Sequence, residues 1–96
     1  MNAREAEACL LERCVRIARG EPDADMDDRE ANVIRVAAML ARSRHPEAAR
    51  RLRDAAAAHF ARFPDALRRP EDLIQAGWLV GFPRFRALLD DRLAAS

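Results

Sequence analysis

Residues 28–63, DREANVIRVAAMLARSRHPEAARRLRDAAAAHFARF, decide the fold of this 96-residue chain. In both halves of the stretch the apolar residues recur at steps of three and four, which places them on one face of a helix. The halves are separated by the short turn 43–46, and Pro46 suits the first turn of a helix, where its missing N–H is not needed. Because so short a turn makes neighbouring helices antiparallel, the stretch predicts a helical hairpin that buries both stripes.

The two stripes contain the expected core of this hairpin. In the first helix the stripe consists of Val33, Ile34, Ala37 and Leu40. In the second helix it consists of Ala48, Ala49, Leu52, Ala55, Ala56, His59, Phe60 and Phe63. Much of this apolar content is alanine, which buries little area in each contact. Since such a core stabilises a small chain only weakly, the composition favours association of the domain with itself or with a partner.

A further helix is predicted before the hairpin. It covers residues 3–19 and ends at Gly20, with Pro22 beyond it, the usual order of residues at a helix end. The acidic link that follows ends with Asp27 and, three residues later, Glu30. This spacing matches a capping box, so the next helix is expected to begin there.

The last third of the chain predicts a second helical hairpin. Pro70 opens a helix over 70–80, and Pro83 opens the final helix. The inner faces consist of Leu73, Ile74, Gly77 and Val80 in the former and of Phe85, Leu88, Leu89 and Leu93 in the latter. A mid-helix glycine costs up to about 1 kcal/mol against alanine, so close helix packing is the expected role of Gly77. The predicted fold is an all-α single domain over 1–96, with five helices arranged as one N-terminal helix plus two antiparallel hairpins.

The composition argues against secretion and membrane insertion. Cys9 and Cys14 lie five apart on a predicted helix, point in different directions and cannot readily bridge, which fits a reduced, cytoplasmic setting. No stretch approaches eighteen apolar residues, so no membrane span is expected. The first residues, MNAREAE, lack the apolar run of a secretory signal.

The sequence shows no catalytic set. Nucleophilic and metal sites need clustered His, Cys or carboxylate side chains, and the two histidines are far apart along the predicted hairpin. His45 in the turn is expected to meet solvent, whereas His59 is expected at the edge of the core. The three glycines mark helix ends and turns and form no phosphate loop. The chain is therefore predicted to be non-enzymatic, without a cofactor.

The acidic link resembles the start of a calcium-binding loop only in part. Asp23, Asp25 and Asp27 alternate as the first ligands of such a loop do. The loop also needs Gly at its sixth position and Glu at its twelfth, where this chain has Asp28 and Ile34. The alternative, a solvated loop whose last acids cap the next helix, is favoured, and no metal is expected.

One candidate interaction surface lies near the predicted second turn. Apolar side chains concentrate there, namely Trp78, Leu79, Phe82 and Phe85. Trp78 and Leu79 fall outside the predicted inner stripe, and tryptophan is frequent at interaction hot spots. These side chains predict a surface for a homodimer or for an amphipathic helix of a partner. The alternative is that the first helix or the chain end covers them.

The second candidate surface is basic. Residues 31–69 hold nine arginines and three acidic residues, although the whole chain has a net charge of only +1. Five of these arginines cluster around the central turn, namely Arg42, Arg44, Arg50, Arg51 and Arg53. They could track the phosphates of a nucleic acid. A helix that reads bases needs polar residues at its start, and the second helix begins Pro-Glu-Ala-Ala, so nucleic-acid binding is the less favoured hypothesis.

The two predicted hairpins have residues in corresponding places at the helix contact, at the turn and early in the second helix. Gly77, Gly81 and Ala87 stand in the second hairpin where Val36, Ser43 and Ala48 stand in the first. This pattern resembles tetratricopeptide repeats, which place small residues at the contact between two helices, at the turn and early in the second helix. The size and rhythm of the chain are also similar to those of the small bacterial chaperones that hold type III secretion needle subunits. The resemblance implies an adaptor or chaperone that clasps an amphipathic helix.

Overall fold

The structure, a computed structural model, describes residues 2–21 and 25–95. These residues form the helices α1 (Ala3–Ala18), α2 (Asp28–Ala41), α3 (Pro46–Arg62), α4 (Pro70–Gln75) and α5 (Phe82–Ala94), with a 3-10 turn at Pro64–Ala66. The predicted all-α fold with five helices is confirmed. Pro22 and Asp23, which entered the sequence predictions, lie outside the described residues.

The capping residues fix where α1 and α2 end and begin. The Asp27 side chain accepts a hydrogen bond from the Glu30 N–H at 2.8 Å, and the Glu30 side chain accepts one from the Asp27 N–H at 3.0 Å. This reciprocal pair is the predicted capping box. Gly20 follows α1 with φ +85°, and its N–H donates to the Ile17 carbonyl. The predicted end of the first helix at Gly20 is therefore confirmed, with a left-handed glycine closing the last turn.

Helix α2 is the centre of the fold because the four other helices pack against it. Its buried residues lie on nearly every side of the helix and are mostly small or β-branched, namely Ala31, Asn32, Val33, Ile34, Val36, Ala37, Ala38 and Ala41. Its closest neighbour is α3. The His59 side chain near the end of α3 lies 2.8 Å from the Asp28 carboxylate at the start of α2, so the two helices are antiparallel. The predicted central hairpin is confirmed.

A buried asparagine holds the connector between α3 and α4 against α2. Asn32 is fully buried. Its Nδ2 donates to the carbonyls of Asp28 at 2.8 Å and Ala66 at 2.9 Å. Its Oδ1 accepts from the Arg68 N–H at 2.9 Å and from Arg35 Nη2 at 3.3 Å. The amide group thus meets the polar backbone of the connector on both its donor and its acceptor side, which offsets the cost of burying it.

Helices α1 and α5 lie side by side in the same direction. Arg84 Nε donates to Glu7 Oε1 at 3.0 Å, and eight residues further along α5 Arg92 pairs with Glu12. Glu7 is 98 % buried, and its pairing with Arg84 offsets part of the cost of burying a polar side chain. The hydrogen bond from Arg92 also lowers the pKa of Glu12. These pairs join the first helix to the last one.

The predicted second hairpin is replaced by a different arrangement. Helix α4 ends at Gln75, five residues earlier than expected, and Gly77 has φ +77°. The N–H groups of Gly77 and Trp78 donate to the carbonyls of Ile74 and Leu73, which closes α4 in a Schellman motif. A Cβ on Gly77 would meet no atom within 4 Å, so the predicted helix-packing role of this glycine is wrong.

The burial of the last third follows from this early helix end. Val80, predicted to face inward, is 40 % exposed. Phe85, Leu89 and Leu93 are buried as predicted. Helix α5 contacts α1 and α2, and α4 contacts α2. The last helix therefore completes the core formed by α1 and α2 in place of pairing with the helix before it.

The amide of Asn32 is expected to contribute more to stability than any exposed amide. Asn32→Leu keeps the volume but leaves the Ala66 carbonyl and the Arg68 N–H without their partner, so it should lower the free energy of unfolding by about 2–3 kcal/mol. Urea unfolding followed by circular dichroism measures this loss. Gln75→Leu makes the same chemical change at an exposed site and serves as the control. Equal effects at the two positions would contradict the anchoring role of Asn32.

Substitution by alanine should affect Gly77 and Gly81 differently, although an added Cβ would meet no atom within 4 Å at either position. Gly77→Ala puts a side chain into the left-handed region and should cost about 1–2 kcal/mol, whereas Gly81 has φ 163°, an extended conformation open to any residue. Gly81→Ala should change the free energy of unfolding by less than about 0.5 kcal/mol. Thermal and urea unfolding of both variants test this difference. A neutral Gly77→Ala would show that α4 continues through this position.

Candidate functional site

The predicted apolar surface around Trp78 is largely part of the core. Leu79 is 2 % exposed and Phe85 is fully buried, so neither can contribute to an exposed surface, and the prediction is wrong for these two residues. Trp78 and Phe82 are half-buried and pack against the same core. The Arg29 guanidinium lies over the Trp78 ring, 5.4 Å from its centroid. Leu79 and Phe85 are buried because α4 ends early and the residues that follow it turn back towards α1 and α2.

The five arginines around the central turn mostly have partners within the chain. Arg44 lies 3.2 Å from the Asp90 carboxylate, and Arg50 lies 2.8 Å from Glu47. The hydrogen bond from Arg50 also lowers the pKa of Glu47.

The remaining members of the cluster differ in their surroundings. Arg51 donates to the Ala18 carbonyl at 2.8 Å, and Arg53 lies 3.5 Å from Asp54. Among the described residues Arg42 alone of the five makes no ion pair or hydrogen bond through its side chain. The acidic residues within reach therefore offset much of the positive charge that the sequence concentrates here.

The histidines and cysteines lie apart from one another. His45 has a side chain only 20 % exposed and lies 3.4 Å from Asp90, so its predicted exposure to solvent is wrong. The His59 side chain is 8 % exposed, at the core edge as predicted. Cys9 is exposed and Cys14 is buried, and no disulfide joins them. Within residues 2–21 and 25–95 no group of three or more His, Cys, Asp or Glu side chains could hold a metal ion.

A cleft lies between the end of α1 and the second half of α3, and we call it the α1–α3 cleft. Its volume is about 590 Å³, within the range typical of ligand pockets. Its apolar floor consists of Ile17, Met26, Ala55, Ala58 and Phe63. Phe63 is 46 % exposed, so the floor ends in an aromatic ring that lies partly in solvent.

The rims of the α1–α3 cleft carry opposite charges. On the α3 side lie Arg51 and Arg62, and on the side of the acidic link lie Glu21 and Asp25. All four residues are exposed. Asp54 also lines the α3 side. Its carboxylate oxygens lie 3.6 Å from Arg50 and 3.5 Å from Arg53, which offset its charge. The cleft is therefore basic along one rim and acidic along the other.

Contacts within the chain position each rim. The Glu21 N–H donates to the Arg16 carbonyl, so the end of α1 fixes the place of this residue. The Asp25 carbonyl accepts a hydrogen bond from Arg13. On the opposite rim Arg51 is held by the Ala18 carbonyl, and the Arg62 guanidinium lies over the Phe63 ring, 5.2 Å from its centroid. The acidic rim is thus held through its backbone, and the basic rim through its side chains.

A second groove continues the α1–α3 cleft towards the start of α2. It has a volume of about 430 Å³ and shares Met26, His59 and Phe63 with the cleft. The combined surface follows α3 from residue 51 to residue 63, which at 1.5 Å per residue is a length of about 18 Å. This length equals about three turns of a helix lying alongside α3.

A separate cleft of about 450 Å³ lies at the start of α3. It is lined by Ala18, Arg19, His45, Pro46, Glu47, Ala48, Arg51 and Leu93. Its described lining contains no phenylalanine or tryptophan ring, and its histidine lies 3.4 Å from Asp90. Arg51 lines both this cleft and the α1–α3 cleft, so its hydrogen bond to α1 helps to shape the two cavities.

Sequence reasoning missed the α1–α3 cleft as a site. Met26 and Ile17 come from segments whose position relative to α3 no local pattern reveals. Phe63 gave the one usable signal, because it is a large apolar residue at the end of a stripe and is followed at once by Pro64. It was assigned to the buried stripe, whereas the chain turns away from α3 at this residue and leaves the ring in the cleft.

Comparisons with known proteins identify no relative. No family model matches the chain, and no curated protein or solved structure matches it. Of the helices formed by the described residues, none combines the length and the apolar character needed to cross a membrane. Functional inference therefore rests on the geometry of the chain itself.

Arg51 is expected to act mainly through the fold. Arg51→Met removes the hydrogen bond to the Ala18 carbonyl near the end of α1 and should lower the free energy of unfolding by about 1 kcal/mol. Arg53→Met is the matched control on the same helix, because the Arg53 side chain is 68 % exposed and makes only an exposed ion pair. Its effect should stay below about 0.5 kcal/mol. Equal losses of stability in the two variants would contradict the structural role of Arg51.

Proposed function

We propose that this chain is a non-enzymatic protein-interaction module that receives an amphipathic helix of a partner in the α1–α3 cleft. The observation that carries the proposal is an open cleft with an apolar floor, an exposed aromatic ring and charged rims. A half-exposed Phe63 beside exposed Ala58 costs free energy in water and gains it when a partner covers both. Aromatic anchors in such positions are frequent at interaction hot spots.

The shape of the cleft favours a helix as the occupant. Four α3 residues line the cleft at steps of three and four positions, namely Arg51, Ala55, Ala58 and Arg62. They form one straight stripe in which the two alanines lie between the two arginines. A helix laid along this stripe would place apolar side chains at steps of three and four into the floor. In this role the chain acts as an adaptor or chaperone in the cytoplasm.

The charge distribution favours a protein partner over a nucleic acid. Duplex recognition depends on several arginines that are free to neutralise phosphates. In this chain Arg44, Arg50 and Arg53 face carboxylates. An acidic rim at Glu21 and Asp25 would also repel a phosphate backbone from the α1–α3 cleft. Nucleic-acid binding through the cluster at 42–53 therefore remains the weaker hypothesis.

A pair of neighbouring alanines tests the proposal. The probe is an 18-residue helical peptide with a leucine face, glutamates on one flank and lysines on the other. Ala58 lines the cleft, whereas Ala57 is equally exposed on α3 but does not line it. Ala58→Glu should weaken peptide binding at least about tenfold because it places a carboxylate against the leucine face. The Ala57→Glu variant should bind the peptide as tightly as the unchanged protein does. A fluorescence anisotropy titration measures both affinities.

Two further measurements complete this test. A scrambled peptide of the same composition should not bind, because it lacks the amphipathic period. Light scattering of the protein alone detects self-association. Failure of the amphipathic peptide to bind, or an equal loss of binding in both alanine variants, would overturn the proposal.

A further inference from the structure

We infer that the partner helix carries acidic side chains on the flank that faces α3 and basic side chains on the flank that faces the acidic link. This inference rests on the proposed function and adds the chemistry of the partner to it. It follows from the opposite charges of the two rims, basic at Arg51 and Arg62 and acidic at Glu21 and Asp25.

The basic rim sets the spacing of the acids. Arg51 and Arg62 are eleven residues apart on α3, which is about three turns and about 16 Å along the axis. A partner helix lying alongside α3 has the same rise per residue. It therefore meets both guanidinium groups when its acidic side chains are also about eleven positions apart. Acids at this spacing lie on the same side of a helix, at the two ends of the apolar residues that contact Ala55 and Ala58.

Arg51 and Arg62 differ in the contacts that their side chains already make within the chain. Arg51 uses Nη1 for the Ala18 carbonyl at 2.8 Å, and a guanidinium has further N–H groups for a carboxylate. Arg62 makes a cation–π contact with Phe63, and no described carboxylate pairs with it. Since Arg62 lies beside the exposed aromatic anchor, a carboxylate there would be partly shielded from water once the helix is seated. Shielded pairs discriminate more strongly than exposed ones.

On the opposite rim the acids are also available. The hydrogen bonds of Glu21 to Arg16 and of Asp25 to Arg13 use the backbone atoms of these two acids. Their carboxylates are exposed and face the cleft from the side opposite to α3. A helix with lysine or arginine on its second flank meets them, whereas a helix with acids on both flanks is repelled by this rim. The two rims together thus select a helix with one flank of each sign.

Three peptides with the same leucine face separate this inference from the proposed function. One has a glutamate flank and a lysine flank, one has lysine on both flanks and one has glutamate on both. The mixed peptide should bind about tenfold more tightly than either uniform peptide at low salt, and this preference should disappear in about 1 M salt. Fluorescence anisotropy with labelled peptides measures the three dissociation constants.

A charge reversal at one rim should change the order of the peptides. Arg62→Glu makes both rims acidic at that end of the cleft, so the peptide with lysine on both flanks should become the tightest binder. Arg86→Glu is the control, because it changes the net charge equally on an exposed position of α5 outside the cleft. This variant should bind the three peptides in the same order of affinity as the unchanged protein does.

The outcomes are distinguishable. Equal binding of all three peptides, abolished by Ala58→Glu, overturns the charge pattern and supports the proposed function. No binding of any peptide overturns both. A dimer in light scattering that Ala58→Glu dissociates would show that a second copy of this chain occupies the cleft, and this result also overturns the inferred partner. An unchanged order in Arg62→Glu would exclude Arg62 as a selecting residue.

Discussion

The burial of α2 on nearly every side is the constraint on which the rest of the structure depends. A helix in this position needs neighbours around its whole circumference, so the chain must place α1, α3, α4 and α5 around it. Alanines at 31, 37, 38 and 41 allow these neighbours to approach closely. One polar residue, Asn32, interrupts this apolar surface, and two of its four hydrogen bonds bind the connector that leads from α3 to α4.

The same constraint explains why the cleft lies where it does. Because α2 takes the central position, α1 and α3 meet mainly near the end of α1, where Arg51 reaches the Ala18 carbonyl. Beyond this contact α3 continues for eleven residues to Arg62, while α1 has already ended. On the side of α3 that faces α1, this part of the helix therefore has no helical neighbour within the described part of the chain. The α1–α3 cleft lies on that side.

The sequence predicts features that depend on near neighbours along the chain. The capping box of α2, the left-handed Gly20 after α1 and the antiparallel hairpin all rest on residues within a few positions of each other. The role of Gly77 could not be read in the same way, since a glycine at this spacing fits the middle of a helix as well as its end. Asn32 also gave no signal, because its partners Ala66 and Arg68 are 34 and 36 residues away. The charged rims escaped prediction for the same reason.

The arginines show why residue type alone does not identify a binding surface. A cluster of five in twelve residues suggests phosphate binding when it is read as a sum of charges. The structure divides the cluster by partner: Arg50 and Arg53 face acids of their own helix, and Arg51 holds the end of α1. Arg62, which no sequence pattern singles out, lies in the cleft beside an exposed ring. A charged amphipathic helix binds where a charged side chain lies next to exposed apolar surface. This combination occurs at the α1–α3 cleft.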